Sequence, residues 1–238
     1  DSFTNNMQQA VENSDLIFLA VPLGAMQATM EAIQPHLQTN TIITDGGSSK
    51  SSVVLAAQDE LGANIENFVP GHPIAGKEQS GVIAAEADLY INHRVILTPT
   101  SQTSSEALKT VQNLWSAIGA KVEQMKPQQH DEIFAATSHL PHLLAFALVD
   151  LLNEHEELGD VFQYTAGGFR DFTRIASSDA EMWRDIAVYN SDAIVKWLNH
   201  YSITIKELTH LVETKDKDAL SALFNAAKQA RDEHIVQV

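Results

Sequence analysis

The chain has 238 residues, 44% hydrophobic and 19% charged, which suits one large globular domain or two modest ones and argues against a disordered polymer. With 15 Lys and Arg against 31 Asp and Glu, the formal charge of −16 repels nucleic acid and anionic membranes. Cysteine is absent, which excludes disulfides, thiolate zinc sites and iron–sulfur clusters and fits a reducing, cytoplasmic location.

The opening Asp1-Ser2-Phe3-Thr4-Asn5-Asn6 is polar and unlike a signal peptide. Residues 16–21 form a continuous apolar run ending at Pro22, the pattern of a buried parallel strand. Met26, Met30, Ile33 and Leu37 then share a helical face, closed near Pro35. Thr41-Ile42-Ile43-Thr44 is a second strand, stopped by Asp45-Gly46-Gly47, and Val54, Leu55, Gln58 and Leu61 form the next helical stripe. Phe68-Val69 starts a short third strand that runs into Pro70-Gly71-His72-Pro73, and residues 94–98 make a fourth. A helix with Leu108, Val111, Leu114, Trp115 and Ile118 ends at Gly119, before a last strand over residues 121–124. This alternation predicts a mostly parallel α/β sheet of Rossmann type.

Beyond Lys126 the strand signals vanish, so a boundary is expected near Pro127, giving an α/β domain over 1–126 and an all-helical domain over 127–238. Trp183, Ala187, Asn190, Ile194, Trp197 and Tyr201 step by four and three, which predicts one helix from about 179 to about 213, roughly 50 Å long. A helix of that length needs a partner in another helix or another subunit. A final helix carries Leu220, Leu223, Phe224 and Ala227 behind an Asp216 or Asp218 cap. The longest apolar runs, 16–21 and 143–149, are too short to cross a bilayer, so no membrane partner is expected.

Rossmann-type sheets bind ligands at the carboxyl ends of their strands. Val21-Pro22, Asp45-Gly46-Gly47-Ser48 and Gly71-His72-Pro73 stand there. A glycine pair alone reads as a tight turn and a lone histidine as structural; together they point to a site. Residues 71–78 nearly spell a phosphate-binding loop, but Glu78 stands where Ser or Thr must ligate magnesium, and Pro73 removes an amide donor. No Gly-x-Gly-x-x-Gly dinucleotide fingerprint can be written with the 11 glycines present. In the second half, Ser138-His139-Leu140-Pro141-His142 puts two histidines at i and i+3, a weak metal pattern without a carboxylate, and so either satisfied core groups or walls of a cleft. The stretch from Gly167 to Arg174 reads as an irregular loop with two arginines, whose rigid guanidinium forks suit a carboxylate.

Taken together, Leu19-Ala-Val-Pro22, Thr44-Asp-Gly-Gly-Ser-Ser-Lys50, Gly71-His-Pro-Ile-Ala-Gly76, Val95-Ile-Leu-Thr-Pro99, Ser138-His-Leu-Pro-His142, Gly167-Gly-Phe-Arg-Asp-Phe-Thr-Arg174 and Met182-Trp-Arg-Asp185 resemble the prephenate/arogenate (cyclohexadienyl) dehydrogenase family, in its order and over nearly the whole chain. The resemblance implies oxidative decarboxylation of prephenate or arogenate in tyrosine biosynthesis, with hydride passing to NAD or NADP. It implies His72 as the catalytic histidine, Ser48 as its orienting partner and a nicotinamide contact, and Arg174 as the substrate-carboxylate ligand. His142, His139 and Trp183 follow as pocket residues, Lys77 as a further substrate contact, and Val21, Pro22, Asp45, Gly46 and Ser48 as the cofactor side. It also implies a homodimer formed through the helical half.

Members of the family carry a glycine-rich βαβ segment ahead of the position of Asp1, so an incomplete Rossmann sheet is expected here, with the 16–21 strand edge either covered by another copy of the chain or responsible for poor solubility. The residue that separates NAD from NADP belongs to that segment; NAD, the family's commoner cofactor, is expected and NADP stays open. The alternative is a non-catalytic module that dimerises and binds substrate or tyrosine without turnover. A β-hydroxyacid dehydrogenase would need a catalytic lysine where His139 and His142 stand.

Overall fold

The computed structural model describes residues 2–76, 81–155, 157 and 159–235. Packing divides the chain into two units, Asp1–Ile194 and Val195–Val238.

The first unit begins with α1 (Met7–Val11), β1 (Leu16–Leu19), α2 (Met26–Ile33), β2 (Ile42–Asp45), α3 (Ser51–Glu60) and β3 (Phe68–Val69). These strands pair in parallel in the order β1-β2-β3, Leu19 facing Asp45 and Thr44 facing Val69. A second set follows, β4 (Gly71–Ile74), β5 (Arg94–Leu97), α4 (Ser105–Ala117) and β6 (Lys121–Gln124). There β5 pairs in parallel with β6, whereas β4 runs antiparallel to β5 and sets His72 opposite Ile96. The sequence pattern places His72 at the carboxyl end of the third strand; the chain instead turns at Pro70 into a new strand. Pro73 interrupts the apolar signature but is tolerated on this strand, which has β5 on one side.

Met26, Met30 and Ile33 of α2 are buried, as their spacing predicts. On α3 the buried stripe is Val53, Val54, Ala56, Ala57 and Leu61, while Leu55 is 61% exposed. On α4 it is Ala107, Val111 and Trp115, with Leu114 facing outward. In α3 and α4 small alanines, which carry little hydropathy signal, also sit on the packed face.

The helical part of this unit comprises α5 (Pro127–Phe134), a π turn over Ala135–His139, α6 (Leu140–Asn153), α7 (Gly167–Thr173) and α8 (Ala180–Tyr189). Pro141 has no amide proton and its ring crowds the carbonyl four residues back, so the turn before it widens and Leu140 bonds to Ala135 five residues away. By length and composition the run Pro127–Asn153 is apolar enough to cross a membrane, which the uninterrupted-run criterion missed. His130, Asp131 and His139 within it are buried, with Asp131 bonded to the start of α3 and His139 to Asn190, so its first half is packed into the globular unit.

Two expectations are corrected in this region. The Gly167–Arg174 stretch is helical: its glycines fill the first turn, where no intrahelical amide bond is lost, and Thr173 bonds to the Phe169 carbonyl. The single long helix is two, because Asn190 leaves helical geometry at φ −120° and ψ 30°. Its side chain is buried and donates to the Asp131 carbonyl, a bond that a straight helix would forgo. Trp183 and Ile186 of α8 join the core made by α2, α3 and β2.

Helix α9 (Ser191–Glu213) crosses the division, and the second unit holds the rest of α9 and α10 (Lys217–His234). Asp216 caps α10 by accepting from the Ala219 amide. Within this unit Ile203, Ile205, Val212 and Phe224 are exposed.

Candidate active site

At the carboxyl ends of β1 and β2 lies a cavity of about 440 Å³, lined by Val21, Pro22, Leu23, Gly46, Gly47 and Ser48 and, from the helical side, by Met182 and Ile186. A Cβ on Gly47 would stand 2.9 Å from Leu23 Cδ2 and 3.0 Å from Asp45 Oδ2, so a side chain there would have to displace them. Asp45 is fully buried. Its Oδ2 accepts the Gly47 amide at 2.8 Å and the Lys50 ammonium, and its Oδ1 accepts the Gly71 amide at 3.0 Å. Lys50, also fully buried, donates in addition to the Gly71 carbonyl at 2.6 Å. Burial pulls the Lys50 pKa down and Asp45 pulls it back up. The pair ties the β2 turn to the first residue of β4, one position ahead of His72. The Asp45 side chain therefore builds the turn, and Val21, Pro22, Gly46 and Ser48 present the cavity wall.

His72 is partly exposed, and its Nδ1 lies 2.8 Å from His130 Nε2. His130 Nδ1 in turn lies 2.9 Å from Asp131 Oδ1. The Asp131 carboxylate accepts the Lys50 amide at 2.7 Å and the Ser51 amide at 2.8 Å, at the amino end of α3. Phe134 packs edge-on against His72 at 5.1 Å. Next to this cluster, Asn190 Nδ2 lies 3.1 Å from Nδ1 of the buried His139. His142 donates from Nδ1 to the Ser138 carbonyl at 2.8 Å and stacks on Trp183 at 3.8 Å, while His139 meets Trp183 edge-on at 6.1 Å. The Trp183 indole Nε1 is buried and has no partner among the described residues. Asp185 accepts the Gly24 amide at 3.0 Å, joining α8 to the turn after β1.

The structure thus gathers His72, His139, His142 and Trp183, and sets Val21, Pro22, Gly46 and Ser48 together on one cavity. Arg174 is exposed at the carboxyl end of α7, on the segment that packs against α6. Lys77 lies outside the described residues. The sequence assigns no role to His130, Asp131, Lys50 or Asn190, although Lys50 closes a quoted motif and Asn190 stands in the helical seam. Adjacent residues such as His130 and Asp131 do not share a helical face, so periodicity gave no reason to pair them; the one available hint was two ionisable groups just inside a Pro127 helix start.

Burial, then the charges of His130, Lys50 and His139, hold the His72 pKa well below its usual 6.5. At pH 7 the ring is therefore neutral. Burial first, and then His130, push His139 down to about 4. Burial lowers His130, with Asp131 opposing, and lowers His142. For these groups the unfolded chain binds protons that the folded chain refuses, so stability rises with pH across the window and is lost as pH falls from 6.5 towards about 4. His139 alone accounts for about 3 kcal/mol by the acid end. Urea midpoints measured from about pH 7.5 down to about pH 4.5 are expected to fall, with a shallower fall in His139→Gln; a flat profile would contradict the buried neutral cluster.

Residues 1–124 match the family model for the prephenate dehydrogenase nucleotide-binding domain, and residues 126–226 the model for the prephenate dehydrogenase dimerization domain. Cyclohexadienyl dehydrogenase of Zymomonas mobilis is 37% identical over 97% of this chain and 79% of its own length. Prephenate dehydrogenase of Bacillus subtilis is 36% identical over 98% of this chain, which spans 62% of that relative. Among solved structures, the Aquifex aeolicus prephenate dehydrogenase in complex with hydroxyphenyl propionate and NAD+ superposes with a TM-score of 0.90 at 37% identity, covering 97% of this chain and 80% of that one. Synechocystis arogenate dehydrogenase gives 0.81 at 28% identity, over 98% and 83%.

Proposed function

The chain belongs to the prephenate dehydrogenase family, and on that footing we propose that it oxidatively decarboxylates prephenate or arogenate in tyrosine biosynthesis, using NAD. The observation that carries this reading is His72, neutral and partly exposed, bonded at one ring nitrogen and set in a cluster with the His139–His142–Trp183 wall.

The residues present fit the nicotinamide end of the cofactor: a mostly apolar cavity at two parallel strand ends, with Ser48 on its wall and Asp179 and Glu181 at its helical side. NAD supplies, when bound, the acceptor for the hydride that leaves the carbon bearing the ring hydroxyl. His72 accepts the hydroxyl proton as that carbon becomes carbonyl-like. The ring carboxylate then departs as carbon dioxide, and the electron pair of its bond completes the aromatic ring. The oxygen becomes a phenol by taking the proton back from His72. Aromatisation drives the step, so the protein's task is orientation more than force.

Ser48 orients the substrate hydroxyl, and Arg174 binds a substrate carboxylate, supplying local positive charge against the overall −16. His139, His142 and Trp183 wall the ring. We place the boundary between an α/β domain and a helical domain near Lys126, where the two family-model matches meet. A homodimer covers the exposed apolar residues of α9 and α10. The reading places the protein in the cytoplasm.

The test is cofactor reduction with carbon dioxide release, with prephenate and with arogenate as substrates. Turnover of at least one is expected; neither product with either substrate overturns the assignment. Within this assay Arg174→Gln is expected to raise KM by about 10- to 100-fold, with kcat changed far less.

A further inference from the structure

The His72–His130–Asp131 chain of bonds decides more than the position of a ring. Asp131 is fixed on the amino end of α3 by two backbone amides, where the helix dipole favours the anion. Burial opposes the charge, but the bonds from His130, Ser51 and Lys50 keep its pKa below the ordinary carboxylate value, so the carboxylate can only accept. His130 Nδ1, at 2.9 Å, must therefore carry a proton. A neutral His130 then has a bare Nε2, which can only accept from His72 Nδ1 at 2.8 Å. The proton of neutral His72 is consequently on Nδ1, and Nε2 is left bare.

We propose that Asp131 and His130 are positioning residues that fix the tautomer of His72, leaving its Nε2 as the proton acceptor of the reaction. The other tautomer would direct an N–H at the substrate hydroxyl and could take no proton from it. No contact of Asp131 with substrate is needed. The same two amides that seat Asp131 belong to Lys50 and Ser51, so the helix start below the cofactor turn and the base are set by one carboxylate.

This rests on His72 being the base, and the test separates the two. Long-range proton–nitrogen correlation on the histidine-labelled full chain, without substrate, is expected to show both His72 and His130 protonated at Nδ1. His130→Gln keeps an acceptor oxygen in reach of His72 and is expected to keep that tautomer and most of kcat. His130→Met removes the acceptor; His72 is expected to shift towards Nε2–H, with kcat down about 100-fold or more and KM within about threefold. An Nε2–H signal on wild-type His72, or a Met variant with unchanged tautomer and kcat, overturns the proposal. Absence of turnover in the wild type would sink the assigned reaction instead, and the tautomer spectra would still decide this point.

Discussion

Replacing His72 with asparagine is expected to lower kcat by about three orders of magnitude and to leave KM within about threefold. The amide side chain can still donate to His130 Nε2, so the strand edge and the helices packed on it keep their contacts. It cannot accept a proton near neutral pH, and the hydroxyl must lose its proton unaided as hydride departs. An effect on kcat without one on KM identifies a group that acts in the transition state. Steady-state kinetics with a melting curve on the same sample make the measurement. A variant turning over at the wild-type rate would remove His72 from the mechanism, and a rise confined to KM would reassign it to binding.

The second large effect is on folding. Lys50→Met is expected to cost about 3–5 kcal/mol of stability, read as a lower urea midpoint at constant m-value. The ammonium is fully buried against Asp45 and the Gly71 carbonyl. Removing it leaves a buried carboxylate with two amide donors and no counter-charge, and strips the Gly71 carbonyl of its partner. The double variant Lys50→Met with Asp45→Asn is expected to regain part of that loss, because the uncompensated charge is gone. If the single variant melts like the wild type, the pair is not holding β2 to β4. Because Gly71 precedes His72, a partially folded Lys50→Met protein is also expected to lose kcat.

The two residues differ in how much of their role the sequence carries. His72 was legible because strand-end rules and a specific His-Pro-Ile-Ala-Gly motif converged on it. Lys50 closed a motif already singled out, yet nothing in composition says that a lysine is 0% exposed, since lysines almost always remain in water. The cavity wall of Val21, Pro22, Gly46 and Ser48 was anticipated from strand ends alone. The break at Asn190 was not, because a heptad-like apolar seam continues straight through it; a buried carbonyl 59 residues away, on Asp131, supplies the competing bond.

Periodicity and motif by themselves determined the family and the alternation of strands and helices in the first half, and singled out the strand-end residues and His72 that the proposed function rests on. These are local or near-local properties: alternation of apolar residues, turn glycines, and residue types required at fixed spacing. The tertiary structure alone decided which groups meet. It set His130 between His72 and Asp131, buried Lys50 beneath the turn, made His72 part of a strand and moved its pKa well below neutrality. The reason is physical: desolvation and hydrogen-bond partnership depend on which segments pack together, as where His72 meets His130 58 positions away and Lys50 meets Asp131 81 positions away, and no one-dimensional pattern carries that.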